Sequence, residues 1–164
     1  MAALLALPWL AFCAWHDLHT RTVPAFLTLP PLAAAIGWQV YLGDWPLAVL
    51  VLTLTILDDP TWRWRGFLGG VQALVLATAW YLGGIMPAFL GLALIGVWLL
   101  WKLGAIGGAD AQVVMTLALF FGLPILVPVT LATGLQALLQ KFRGRDTIPA
   151  MLGIFAGVGL HMLK

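Results

Sequence analysis

Residues 85–101 read IMPAFLGLALIGVWLLW, an uninterrupted apolar stretch that decides the class of this protein. A helix of that length rises about 25 Å, which is close to the roughly 30 Å of hydrocarbon in a bilayer. The rest of the chain has the same character: hydrophobic residues make up 63% of its 164 positions, charged residues only 9%, and the mean hydropathy is +1.04. This composition is far from that of a soluble domain and predicts an integral membrane protein.

Similar apolar runs recur along the chain and predict an all-α fold, a polytopic bundle of about six to eight transmembrane helices. The runs lie near residues 2–16, 25–42, 45–57, 66–83, 85–101, 109–122, 124–140 and 147–163. Several of them, notably 45–57 and 109–122, are shorter than the roughly 20 residues that cross a bilayer, so we expect some to be tilted, to be re-entrant or to thin the bilayer locally. We expect residues 1–164 to form a single integral-membrane domain, with no separate soluble module.

Proline and glycine mark the ends and the contact faces of these runs. Five prolines stand at or near the start of a run, where a missing backbone N–H is harmless, and they predict helix starts. They are Pro24, Pro46, Pro87, Pro124 and Pro149. Gly153, Gly157 and Gly159 predict close approach of another helix to the last run. Because no basic residue precedes the first run, we expect it to stay as a helix rather than be cleaved as a signal peptide.

The basic residues predict the orientation in the membrane. With the N-terminus outside, seven of the eight Lys and Arg residues fall in cytoplasmic connections, as the positive-inside rule requires. These connections are 17–24, 58–65, the turn at Lys102, and 141–146. We therefore expect a multi-pass protein of the cytoplasmic (inner) membrane, with the lipid bilayer as a partner. The small net charge of +2 gives little support for nucleic-acid binding.

Few residues suit redox or metal chemistry. Cys13 is the only cysteine, so we expect no internal disulfide, no paired-cysteine zinc site and no cofactor. His16 and His19 flank Asp17, and we interpret them as hydrogen-bonded or solvated histidines rather than as metal ligands. Asp58 and Asp59 are interpreted as a solvated loop pair or a helix cap.

Asp17 and Asp110 stand at the ends of apolar runs, and the predicted orientation puts both on the cytoplasmic side. A charged residue in hydrocarbon costs roughly 2.5 to 3.5 kcal/mol, so such a residue usually has a function. If the two carboxyl groups meet, they hold one shared proton, and one can activate water while the other polarises a peptide carbonyl. This is peptide-bond hydrolysis by an aspartic dyad. Helix capping at the membrane surface is the alternative interpretation.

Two glycines precede the second aspartate in the segment Gly107-Gly108-Ala109-Asp110. A residue without a side chain lets other backbone approach closely. We therefore predict that Gly107 and Gly108 contribute to substrate binding by opening space beside Asp110.

Three segments, in this order, resemble the motifs of type IV prepilin peptidases. Residues 17–28, DLHTRTVPAFLT, resemble the family's D-x-x-x-x-x-[IV]-P-N-x-L-T stretch, and residues 107–114, GGADAQVV, resemble its G-x-G-D-x-K-L segment. Residues 148–150, IPA, resemble the I-P-[FY] turn that leads into the last helix of the family. Ala25, Ala109 and Gln112 stand where the family usually has Asn, Gly and Lys, and Gln112 removes a positive charge beside the presumed site.

The resemblance implies an intramembrane aspartic protease of the GxGD type, with Asp17 and Asp110 as its catalytic pair. Such an enzyme cuts the leader from pilin, pseudopilin or archaellin-type substrates at the cytoplasmic face. Larger members also carry a cytosolic zinc-binding region with paired cysteines, linked to methylation of the new N-terminus. That region has no counterpart in this sequence, so the chain is more similar to the short preflagellin and tight-adherence prepilin peptidases, and no methyltransferase activity is expected.

Two functions from other classes are consistent with the same residues. A catalytically inactive scaffold of a pilus-assembly machine would keep the fold and lose the chemistry, and the residues at positions 25, 109 and 112 leave this open. A small proton-coupled carrier would also use intramembrane carboxylates, but interrupted helices in two related halves, which are typical of carriers, are not evident in the sequence.

Overall fold

The computed structural model describes residues 2–56, 62–142 and 150–163. Within these ranges the chain is helical and has no strand, which confirms the predicted all-α class. The helices are α1 (Ala2–Thr20), α2 (Ala25–Tyr41), α3 (Trp45–Ile56), α4 (Trp62–Gly83), α5 (Ile85–Lys102), α6 (Gly108–Phe121), α7 (Leu126–Phe142), α8 (Ala150–Met162) and a short 3-10 helix, Leu123–Ile125. The predicted loop pair Asp58 and Asp59 and the motif residues Ile148 and Pro149 lie outside the described residues.

Each α-helix coincides with one predicted apolar run, and the differences are at the ends. The α1 helix continues to Thr20, past the apolar run that stops at residue 16, and the backbone N–H of Arg21 still bonds the carbonyl of Asp17 at 2.9 Å. Helical hydrogen bonding does not stop where hydrophobicity stops. As a result Asp17 lies in the last turn of a helix rather than in a loop.

The prolines predicted to start helices do so where the structure describes them. Pro24 is extended and directly precedes α2, Pro46 and Pro87 lie in the first turns of α3 and α5, and Pro124 lies in the 3-10 helix. Gly84 and Gly122 have φ angles of 82° and 73°, a backbone conformation that favours glycine. They separate α4 from α5 and α6 from the 3-10 helix.

Two prolines inside α2, Pro30 and Pro31, create a link between helices. A proline has no N–H, so Pro31 cannot bond the carbonyl of Leu27 four residues before it. The indole N–H of Trp9 donates to that carbonyl at 2.8 Å instead. A helix defect in α2 thus fastens α1 to α2.

The α6 helix lies at the centre of the bundle. It packs against α2 and α5 on one side and against α8 on the other, while α8 also packs against α1 and α7. Two buried clusters meet on it. Val113 and Leu117 belong to a cluster with α1, α7 and α8, whereas Met115 and Leu119 belong to a cluster with α2, α3 and α5. The orientation of α6 therefore determines which of its residues face α1.

The predicted close packing on the last helix is confirmed at two of its three glycines. A β-carbon at Gly153 would lie 2.8 Å from the Cα atom of Thr133, and one at Gly157 would lie 2.5 Å from the Cα atom of Val129. These distances are too short for any side chain, so the backbones of α7 and α8 are in contact. A β-carbon at Gly159 would meet nothing within 4 Å, so this residue takes no part in the contact.

The outer surface of the bundle is strongly apolar. Phe26, Tyr81, Phe89 and Leu131, on four different helices, are 70%, 87%, 51% and 69% exposed. Among the described residues, one helix, Ile85–Lys102, is long and apolar enough by itself to cross a bilayer. Shorter apolar helical stretches accompany it. They are Trp45–Thr55, Gly108–Phe121, Leu123–Gln136 and Ala150–Met162. Eight α-helices in the described ranges match the predicted runs, but their lengths alone do not establish six to eight spans.

Candidate active site

Asp17 and Asp110 come together at one end of the bundle. Asp17 lies in the last turn of α1 and Asp110 in the first turn of α6. The two carboxyl groups are close enough to repel each other electrostatically when both are charged. The helices meet through the same core cluster, since Cys13 and Ala14 pack with Val113 just beyond the two carboxyl groups. Two residues far apart in the sequence thus form one acidic site with apolar surroundings.

The carboxyl group of Asp17 is subject to opposing influences, of which burial, the largest, disfavours its negative charge, while nearby polar groups partly offset this effect. The backbone N–H of Met151, in the first turn of α8, interacts with the carboxyl group, and Arg21 and His16 place positive charge near it. The N-terminal end of a helix attracts anions through its free N–H groups and its dipole. The Oδ2 atom of Asp17 is nevertheless buried, and within the described part of the chain it makes no hydrogen bond of normal geometry.

Asp110 is placed by the turn that begins α6. Gly107 is extended and precedes the helix, and its backbone N–H interacts with the carboxyl group of Asp110. A β-carbon at Gly107 would lie 2.9 Å from Oδ2 of Asp110, so only glycine leaves the carboxyl group in this position. The backbone N–H of Ala111 closes the turn by bonding the Gly107 carbonyl at 3.0 Å.

Gly108 makes a different contact from Gly107. A β-carbon at Gly108 would lie 3.0 Å from the indole nitrogen of Trp101, so the end of α5 packs on the first residue of α6. The ammonium group of Lys102 in turn lies 5.2 Å from the centre of the Trp101 ring. Both glycines therefore permit close approach, to Asp110 itself and to Trp101; their part in substrate binding stays a prediction.

The two histidines beside Asp17 are engaged in local hydrogen bonds. The Nδ1 atom of His16 lies 2.7 Å from the carbonyl of Thr22 and 2.8 Å from the hydroxyl of Thr20. The Nδ1 atom of His19 lies 2.8 Å from the carbonyl of Trp15. Among the described residues no group of three or more His, Cys, Asp and Glu side chains is arranged to hold a metal ion.

Comparison of the chain with protein-family models, with curated proteins and with solved structures finds no match. The likeness to prepilin peptidases therefore depends on the three short motifs, and the function must be argued from the site.

The structure adds a polar contact that the sequence analysis does not identify. The hydroxyl of Thr28 on α2 donates to Oε1 of Gln112 on α6 at 2.5 Å. Gln112 follows Asp110 by two residues. The motif comparison indicates only the loss of a positive charge at Gln112. A signal is nevertheless present in the sequence, because Gln112 and Thr116 are the polar residues of α6 besides Asp110, and residues four apart on a helix share one face.

A close pair of carboxyl groups of this kind can perform acid–base chemistry on a substrate. Repulsion between two neighbouring carboxylates favours a state in which the pair holds one proton. Such a pair can deprotonate a water molecule with one member and donate a hydrogen bond to a carbonyl oxygen with the other.

Proposed function

We propose that this protein is an intramembrane aspartic endopeptidase that removes the leader peptide from type IV prepilin-like substrates. The proposal depends mainly on one observation: Asp17 and Asp110, from distant parts of the sequence, lie near enough at one end of an apolar bundle for the charge of Asp17 to act on Asp110. The motifs around both residues, which resemble those of prepilin peptidases, support the same assignment. No cofactor is needed for this chemistry.

The membrane setting is supported by the surface of the bundle. Exposed tryptophans lie near the ends of helices, where their amphipathic rings suit the boundary between lipid and water. They are Trp15, Trp38, Trp45 and Trp80. The shorter helices fit a bilayer that is locally thinned. We propose a multi-pass protein of the cytoplasmic membrane with its N-terminus outside and with Asp17 and Asp110 near the cytoplasmic face.

The environments of the two aspartates suggest how the roles are divided. Burial disfavours a charge on both carboxyl groups, but the Met151 N–H and the charge of Arg21 partly offset it at Asp17, whereas the charge of Asp17 adds to it at Asp110. We therefore assign to Asp17 the role of the ionised member, which accepts a proton from water. Asp110 holds the shared proton and donates a hydrogen bond to the carbonyl oxygen of the scissile bond. Water adds to that carbonyl carbon, and Asp17 then gives the proton it took from water to the leaving amine as the C–N bond breaks, which restores the singly protonated pair.

The test is a cleavage assay with candidate prepilins from the same genome, in which cleavage is detected as a decrease in the size of the substrate. We expect cleavage by the unsubstituted protein and none by Asp17→Asn or Asp110→Asn at equal expression. Asp44→Asn is the matched control. It changes another aspartate at a helix boundary, in the turn before α3 at the opposite end of the bundle, and should cleave normally. Cleavage that survives in both dyad variants would disprove the assignment.

A catalytically inactive pilus-assembly scaffold is the second candidate. It is favoured by Ala25, Ala109 and Gln112, the three positions at which the motifs differ from those of the active family. It predicts that the unsubstituted protein cleaves none of the candidate substrates, yet still assembles with them in the membrane.

A further inference from the structure

Asp110 and Gln112 lie on nearly opposite sides of α6. Two residues along an α-helix correspond to a rotation of about 200°. Val113 and Leu117, on the side of Asp110, pack toward α1 and α8, whereas Met115 and Leu119, on the side of Gln112, pack toward α2 and α3. A rotation of α6 about its axis would therefore turn Asp110 away from Asp17.

The surface between α2 and α6 is tied by polar contacts at both of its ends. Near the acidic site, the buried hydroxyl of Thr28 donates to Oε1 of Gln112. At the far end, the buried amide of Gln39 donates through Nε2 to the carbonyl of Leu119 at 2.5 Å. Between these contacts the surface is mostly apolar, and the buried hydroxyl of Thr116 bonds the Gln112 carbonyl within α6 rather than a group on α2. Apolar burial is non-directional.

The hydrogen bond between the buried Thr28 and the half-buried Gln112 has the directional preference that apolar packing lacks. Loss of Gln112 would leave the buried Thr28 hydroxyl with only its long contact to the Ala25 carbonyl at 3.4 Å, so orientations of α6 that break the Thr28–Gln112 bond are disfavoured. Thr28 is completely buried, and water cannot replace Gln112 there without a rearrangement. Of the two polar contacts between α2 and α6, the one between Thr28 and Gln112 is nearer to Asp110 and so has the greater influence on which way this part of α6 faces.

We propose that Thr28 and Gln112 are positioning residues for the acidic pair. Their hydrogen bond fixes the rotation of α6 so that the carboxyl group of Asp110 faces Asp17. The role in catalysis rests on the proposed peptidase function, whereas the geometric role does not. Gln112 then has a positioning role at the site where the prepilin peptidase motif has a lysine.

The geometric role is tested by disulfide cross-linking without any substrate. Asp17→Cys and Asp110→Cys are combined with Cys13→Ala, which removes the native thiol one turn away, and cross-linking in isolated membranes is followed on reducing and non-reducing gels. We expect the pair to cross-link, and Thr28→Val or Gln112→Met to lower the rate by roughly three- to tenfold, the change produced by loss of one hydrogen bond. The double variant should be no slower than either single one.

Two control variants separate positioning from general damage. Thr28→Ser keeps the hydroxyl and should restore the rate. Thr116→Val also removes a buried hydroxyl, but this hydroxyl bonds the Gln112 carbonyl within α6 and should not affect cross-linking. The proposal would be overturned if the double-cysteine protein cross-linked at the same rate with Thr28→Val, with Gln112→Met and with neither substitution. It would also be overturned if the double-cysteine protein that keeps Thr28 and Gln112 did not cross-link, because residues 17 and 110 would then not be close.

The catalytic consequence is measured separately. In the cleavage assay, Thr28→Val and Gln112→Met should lower kcat with little change in KM, because they displace a reacting group and leave the substrate-binding surface intact. A normal kcat together with slower cross-linking would disprove the link to catalysis and leave the geometric role standing. If no variant, including the unsubstituted protein, cleaves substrate, the proposed function fails while the cross-linking result remains interpretable.

Discussion

The position of the Asp110 carboxyl group depends on residue 107 being a glycine, which has no side chain. Gly107 has a φ of −69° and a ψ of 152°, which any residue adopts, so its backbone does not require glycine. The requirement comes from space, because a β-carbon there would lie 2.9 Å from Oδ2 of Asp110. Gly107→Ala should therefore displace the carboxyl group and lower kcat in the cleavage assay by about tenfold to a hundredfold.

Gly96→Ala is the control for this prediction. Gly96 lies within α5 and a β-carbon there meets nothing within 4 Å, so alanine should leave cleavage unchanged and favour the helix slightly. If Gly107→Ala cleaves as well as the unsubstituted protein, the carboxyl group of Asp110 either moves freely or is not part of the catalytic pair.

At the residue scale, the sequence shows which residues are chemically unusual for their surroundings, but it does not show which residues are in contact. The apolar context singles out Asp17 and Asp110 because unpaired charge is costly in lipid. Spacing along the chain cannot show that they meet, since their proximity depends on α1 and α6 packing with α8. Nor can it show that Gln112 bonds Thr28, a residue 84 positions away.

The backbone contact between α7 and α8 bears on the acidic site. Gly157 faces the backbone of α7, with a β-carbon position 2.5 Å from the Cα atom of Val129 and 2.7 Å from the Pro128 carbonyl. Backbone atoms cannot move aside as a side chain can. Gly157→Ala should push the two helices apart and lower the free energy of unfolding by about 1 to 3 kcal/mol, measured as thermal or denaturant unfolding in detergent.

Gly159→Ala provides the comparison on the same helix. Gly159 has open space around its β-carbon position, so alanine there should leave stability unchanged or raise it by up to about 1 kcal/mol. Because α8 also carries Met151, whose N–H interacts with Asp17, Gly157→Ala should reduce cleavage as well. Equal stability of the two variants would show that α7 and α8 are not in backbone contact.

The helices themselves are predictable because each coincides with an apolar run that ends in proline, glycine or charge. Their partners are not. The glycine spacing predicts that α8 packs tightly, but only the fold identifies α7 as the neighbour. Pro31 illustrates the remaining limit, since its effect on α2 is compensated by Trp9 of another helix, a contact that local sequence cannot reveal.

For the whole molecule, the distribution of basic residues predicts a single orientation, and this orientation decides which face of the membrane the acidic site serves. Leu103 follows α5 at the end where Trp101 packs on Gly108, close to Asp110, and it is 80% exposed. Leu42 ends α2 at the other end of the bundle and is 53% exposed. Because Leu42 and Leu103 lie at opposite ends of the bundle, cysteines at these positions can report which end faces the cytoplasm.

Labelling of intact cells with a membrane-impermeant maleimide tests this orientation. Leu42→Cys should react from outside, whereas Leu103→Cys should react only after the cells are opened, because α5 ends on the cytoplasmic side under the positive-inside rule. The native Cys13 is buried and serves as the internal background in both variants. The reverse pattern would place Asp17 and Asp110 at the outer face, away from a leader peptide that is still in the cytoplasm, and prepilin processing by this protein would then be excluded.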